Sequence, residues 1–244
     1  MNNTAGIRFE GVTKYYGKNI GIQDVSFTVP HGKITGMIGK NGAGKTTSLK
    51  VLTGLIPKYT GAVSDSREHQ EDVNILQKSV GFSPEKLELY GLQTVWEFLT
   101  TLSRIRGIKS TVYKPYIQAV LSLFEIEAYR NTYVTALSKG TLQKLAFIQT
   151  FLHTPKIAIL DEPTSGIDPV AKKKMFDFLA QYRDQGNTVI VSSHRLDELE
   201  RLCDYVIILD NGLLLCAEPM QAILAEKGSL ESYFISCVET EGSL

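Results

Sequence analysis

The apolar positions of the chain change period several times, and each change predicts a different element. Over the first thirty residues they alternate with polar ones, as in Ile7-Arg8-Phe9-Glu10 and Val25-Ser26-Phe27-Thr28-Val29. That period predicts a small antiparallel sheet, with Gly17 and Gly21 forming turns between its strands. Short apolar runs follow at Ile34 to Ile38, Ile157 to Leu160 and Thr188 to Ser192, each leading through a loop into a helical pattern. Runs of this kind predict parallel strands with crossover helices. Between them, Thr94 and Glu97 have the spacing of a capping box, Val95, Phe98, Leu99 and Leu102 recur at helical intervals, and Gly107 supplies a stop. A second apolar stripe runs through Tyr113, Ile117, Val120, Leu121 and Phe124, and a third helix is expected from about Ser138 to Leu152. Residues 86–152 therefore read as a helical insertion. Near the end, Tyr205 to Leu209 and Leu213 to Leu215 flank Asp210-Asn211-Gly212, which predicts a hairpin with a tight primed turn.

Composition bounds this picture. The 244 residues, 43% of them hydrophobic and 21% charged, suit one principal core in an α/β domain with an inserted subdomain. Lys plus Arg and Asp plus Glu are balanced at 26 each, so no global field draws the chain to nucleic acid or to an anionic bilayer. No apolar run approaches the roughly 18 residues of a spanning helix, so direct membrane insertion is not expected. Met1-Asn2-Asn3-Thr4 lacks the basic and apolar regions of a secretory signal, and Cys203, Cys216 and Cys237 have no metal-ligand spacing. Free thiols in the cytoplasm are the expectation.

Gly39-Lys40-Asn41-Gly42-Ala43-Gly44-Lys45-Thr46 fits G-x-x-x-x-G-K-[ST] after a strand and before a helix. Glycines let consecutive N–H groups turn inward as an anion nest, and the following helix points its positive end at the same phosphates. Lys45 then reaches the outer phosphates, Thr47 lies in the same cradle, and the Thr46 hydroxyl suits magnesium. The second half of the site is Asp161-Glu162 at the end of an apolar strand. Adjacent strand residues face opposite ways. Asp161 is thus expected to hold the metal while Glu162 turns toward a water as general base. Two solvated acids at a strand end are the alternative.

These two motifs establish nucleotide binding without naming the machine. Leu137-Ser138-Lys139-Gly140-Thr141-Leu142-Gln143-Lys144 narrows it, because it resembles the L-S-G-G-Q signature of ABC transporter ATPases. The resemblance covers nearly the whole chain. It implies an α/β fold, a P-loop NTPase with a RecA-like parallel core (residues 1–85 and 153–226), an N-terminal antiparallel subdomain, the helical subdomain 86–152 and a C-terminal helical tail 227–244. Tyr16 looks like the aromatic that stacks on adenine, although it could simply pack in the sheet. Gly81 to Glu85 occupies the place of the Q-loop, and Ser165-Gly166-Ile167-Asp168 resembles the D-loop. Asp168 also suits the N-cap of the next helix, with Pro169 at its first position. His194 resembles the switch histidine, whose neutral imidazole can donate to the terminal phosphate.

Two departures stand out. Glu85 replaces the usual Gln, adding a third carboxylate that is assigned to magnesium with Thr46 and Asp161. In the signature, Lys139 and Thr141 replace a glycine and the glutamine, while Ser138 and Gly140, which the family places against the terminal phosphate, are kept. Lys139, Pro84-Glu85 and the stretch Ser229 to Phe234 resemble the drug and antibiotic exporter branch. The resemblance implies ATP and magnesium as cofactors, a homodimer or heterodimer of ATPase subunits, separate integral membrane permease subunits and a seat on the inner face of the membrane. A soluble ABC ATPase of translation, repair or cluster assembly is the rival, and an ATP-binding module without turnover is a second.

Overall fold

The computed structural model describes residues 5–67, 80–87 and 92–241, so Met1 to Thr4, residues 88–91 of the expected insertion and the last residues of the tail lie outside it. Strands β1 (Gly6–Tyr16), β2 (Asn19–Pro30) and β4 (Thr60–Asp65) form an antiparallel sheet in the order β2-β1-β4. Its inward positions are the alternating residues of the sequence pattern: Ile7, Phe9, Val25, Phe27 and Val29 are all buried, and Phe9 stacks on its cross-strand partner Phe27 at 4.5 Å. Gly17 turns the hairpin with φ of 61°. Gly21, expected in a turn, instead lies inside β2, where an added Cβ would sit 2.8 Å from the Tyr16 ring. It is a glycine that makes room for an aromatic, not one that bends the chain.

The second sheet contains β3 (Ile34–Ile38), β5 (Val80–Ser83), β6 (Ile157–Asp161), β7 (Thr188–Ser192), β8 (Tyr205–Asp210) and β9 (Leu213–Pro219), in the order β5-β6-β7-β3-β8-β9. All neighbours are parallel except the β8–β9 hairpin, whose Asn211 and Gly212 both adopt positive φ, as the primed turn requires. Its central strands are apolar throughout because both faces are covered. Ile34, Ile38, Leu160, Val191 and Ile208 face one hydrophobic cluster, while Met37, Ile159, Ile190 and Ile207 face another shared with the antiparallel sheet and helix α1 (Lys45–Leu52).

Helices α2 (Val95–Ile105), α3 (Ser110–Leu123) and α4 (Lys139–Thr150) form the helical stretch. Thr94 and Glu97 complete the capping box, Gly107 follows the end of α2 with φ of 71°, and Tyr113, Ile117, Leu121 and Phe124 are buried as the stripe predicted. Helix α4 is tied to edge strand β5: Gln149 donates to the Phe82 carbonyl, His153 Nε2 to that of Val80, and Gly81 leaves no space for a Cβ beneath the Thr150 carbonyl. This contact places the loop carrying Glu85. Helices α5 (Pro169–Asp184), α6 (Leu196–Leu202), α7 (Met220–Lys227) and α8 (Leu230–Glu241) complete the chain. The thiols are free, and burial pushes Cys216 of β9 up to about 12. Among the described residues no helix is long and apolar enough to cross a membrane.

Burial, aided by the Arg106 charge, lowers His153 from the ordinary imidazole value of 6.5 to about 4. The unfolded chain therefore binds a proton that the folded chain refuses. Stability from this site is complete above pH 6.5 and is lost as pH falls toward 4. Because the ring is only half withdrawn from water, the loss is expected to be on the order of 1 kcal/mol. Urea unfolding between pH 7 and pH 4 checks it: a His153→Gln variant, which keeps a donor for Val80, should lose correspondingly less stability over that window.

Candidate active site

The site exists because β3, β6 and β7 are in parallel register, with Met37 and Asp161 both opposite Ser192. The loops that leave their carboxyl ends therefore open on one edge, where ligands of open α/β sheets bind. They enclose a cleft of about 620 Å³ whose lining includes Tyr16, Asn41 to Thr47, Glu85, Asp161, Glu162 and His194.

The loop after β3 needs glycine at two close approaches. A Cβ on Gly39 would lie 2.4 Å from the Leu209 carbonyl oxygen, and one on Gly44, whose φ is 101°, would lie 2.8 Å from that of Gly21. Helix α1 begins directly at Lys45 with no side-chain cap, so the N–H groups of its first turn remain for an anion. The Lys45 ammonium is 7% exposed and donates to the carbonyls of Gly39 (2.6 Å) and Lys40 (3.2 Å). Burial lowers its pKa below the usual lysine range, opposed by Glu162, Asp161 and Glu85.

Thr46 donates its hydroxyl to Asp161 Oδ2 at 2.8 Å, and the other Asp161 oxygen accepts from Ser192. Two hard oxygen ligands side by side fit magnesium, which takes its remaining ligands from phosphate and water. Glu85 lines the same cleft and its charge is felt at Lys45. Among the described residues no group of three or more His, Cys, Asp or Glu side chains could by itself hold a metal.

Glu162 does not diverge from Asp161 by strand alternation as expected. The strand ends at Asp161, and Glu162 adopts a left-handed backbone with φ of 49°. Such a conformation costs about 1–3 kcal/mol in a residue with a Cβ and persists only when its surroundings dictate it. Here the Glu162 N–H donates to Ser192 Oγ (2.9 Å), and its carbonyl accepts from Gln143 Nε2 and the Ser165 N–H, both at 3.2 Å. The side chain is thereby aimed at His194, whose Nδ1 donates to Glu162 Oε2 at 3.0 Å. Ser192 and Gln143 were not singled out in the sequence. Their only signal there is a polar residue at a strand end and a glutamine two residues past Thr141 in the signature stretch.

Ser138, Gly140 and Asp168 do not line this cleft. Ser138 caps α4 by accepting from the Thr141 N–H, and Gly140 packs so that a Cβ would lie 3.2 Å from the Gly166 carbonyl oxygen. Asp168 caps α5 by accepting from the Ala171 N–H, which holds its carboxyl below the usual range, and stands 3.8 Å from the Lys144 ammonium.

With this geometry in hand, three comparisons define the class. A family model described as ABC transporter matches residues 22–165. The uncharacterized ABC transporter ATP-binding protein MJ1023 of Methanocaldococcus jannaschii is 38% identical over 206 residues, covering 84% of this chain and 74% of that protein. A solved ATP-binding subunit of an ABC transporter superposes with a TM-score of 0.86 at 27% identity, covering 96% of this chain and 99% of that one. The dimeric cassette MJ0796, at 22% identity, TM-score 0.76 and coverage of 88% and 98%, shares the fold. The chain belongs to the ABC transporter family, as an ATP-binding subunit that binds and hydrolyses ATP.

Lys45→Ala is expected to weaken ATP binding by roughly 1.5–3 kcal/mol, about 10- to 150-fold, without unfolding the chain. Titration with a fluorescent ATP analogue reads this directly. In the same assay Tyr16→Phe should bind as the parent does and Tyr16→Ala more weakly, because the ring face and not the hydroxyl makes a stack.

Proposed function

We propose that the chain powers transport through separate integral membrane permease subunits, held by them on the inner face of the cell membrane, and that it works as a head-to-tail pair. In this reading Tyr16 stacks adenine and residues 39–47 cradle the phosphates. Thr46, Glu85 and Asp161 hold magnesium, Glu162 activates water, and His194 contacts the terminal phosphate. The observation that carries the pairing is the position of Ser138 and Gly140 outside the cleft of their own chain. A second subunit, identical or related, would bring its Ser138, Gly140 and Asp168 to complete each site, and the dimeric form of MJ0796 supports this.

Docking on the permease falls to the helical stretch, where Ile105 and Val112 are exposed on α2 and α3 and where α4 is bonded to the strand leading to Glu85. A partner pressed there would feel the cleft through β5. Export is the direction favoured by Lys139 and by Pro84-Glu85, which resemble the exporter branch.

Glu162→Gln keeps the size and hydrogen bonding of the side chain but removes the base, and magnesium-dependent phosphate release should fall about 10²- to 10⁴-fold. Gel filtration with ATP should then show a dimer of this variant, while the same variant also carrying Ser138→Arg should elute as a monomer. Two monomers would defeat a pair of identical subunits.

A further inference from the structure

Glu198 sits in α6, one helical turn past His194, and its side chain is only 6% exposed. It nonetheless holds three donors, two from other segments and one, Arg195, from the start of its own helix. Oε2 accepts from the Thr164 hydroxyl at 2.9 Å, and Oε1 accepts from the Lys172 ammonium at 2.5 Å and from Arg195 Nε at 2.8 Å. Thr164 lies in the loop that begins with Glu162, Arg195 directly follows His194, and Lys172 is in the first turns of α5, just beyond its Asp168 cap.

These loops meet through the His194–Glu162 hydrogen bond at 3.0 Å and the Ser192 contact with the Glu162 N–H. A cavity of about 280 Å³ opens between them, lined by Glu162, Thr164, Ser165, Ser193 and His194 among others. Close packing is what normally fixes the spacing of two segments, and an open hollow beside these contacts leaves less of it. The Glu198 carboxylate bonds to three of the hollow's lining residues, Thr164, Lys172 and Arg195. A buried cluster of charges is weak evidence for stability, since apolar residues of equal volume often serve as well. What it does supply is direction, because each donor must arrive at a defined lone pair.

We propose that Glu198 is a positioning residue that fixes the loop of Glu162 against the loop of His194, so that base and phosphate contact keep their spacing through the catalytic cycle. This rests on the reading of Glu162 as the base. Glu198 touches neither the nucleotide cleft nor the phosphate loop, so its removal acts on the chemical step and not on ATP binding.

The test uses the full chain carrying Glu198→Gln, which leaves one acceptor for Thr164 but neutralises the tie to Lys172 and Arg195. Steady-state hydrolysis should show kcat reduced about 10- to 100-fold with KM and the affinity for a fluorescent ATP analogue changed less than about two-fold. Arg195→Gln, at a half-exposed side chain whose loss leaves the fold intact, should lower kcat in the same sense by a smaller factor. The double variant should lose little beyond Glu198→Gln alone, since both cut one tie. Unchanged kcat in both variants overturns the proposal, and so does a kcat loss matched by an equal loss of ATP affinity. Glu162→Gln run in parallel separates the two readings: if it still hydrolyses ATP at the parent rate, the assignment of the base has failed, whatever Glu198 does.

Discussion

The parallel pairing of β6, β7 and β3 is the constraint on which the rest of the molecule depends. It puts Asp161, Ser192 and the start of the phosphate loop at one edge, and the Ser192 hydroxyl then serves two neighbours at once, donating to Asp161 and accepting from the Glu162 N–H. A slip of one residue in β7 would turn Ser192 to the opposite face and leave the Asp161 carboxylate, 2% exposed, short of a buried donor. The apolar runs on both faces of the sheet forbid that slip, because every side chain would exchange clusters.

The two faces of this sheet divide the labour. One carries α1 and the antiparallel sheet, which brings Tyr16, Gly21 and Ile22 against the phosphate loop, with the Gly21 carbonyl packed on Gly44. The other carries the helices, of which α4 reaches the catalytic edge through Gln143 and the far strand through Gln149. A single rigid helix thus touches the backbone of Glu162 at one end and the strand preceding Glu85 at the other. Under the proposed reading, displacement of the helical stretch by a permease and closure by a second subunit act on the same rod.

The strained backbone at Glu162 gives this arrangement its sensitivity. A left-handed glutamate is held by three hydrogen bonds drawn from β7, α4 and the following turn, and in this conformation its side chain meets His194. Rigid positioning of this kind is how a weak base acquires a defined attack geometry.

Much of this was legible in the sequence, for a local reason. Glycine spacing before Lys45, the Thr94–Glu97 box, the Asn211-Gly212 turn and the alternation of Ile7, Phe9, Phe27 and Val29 each depend on residues within a few positions of one another, so pattern alone determines them. The Asp161-Glu162 pair and His194 were readable because their strands are. What the tertiary structure decided lies in contacts between distant segments. Gly21 serves the Tyr16 ring, Glu162 is turned by Ser192 and Gln143 and not by its strand, and Glu198 gathers Thr164 and Lys172. None of these has a periodic signature, because each is fixed by where the sheet register and the two cores bring the chain back upon itself.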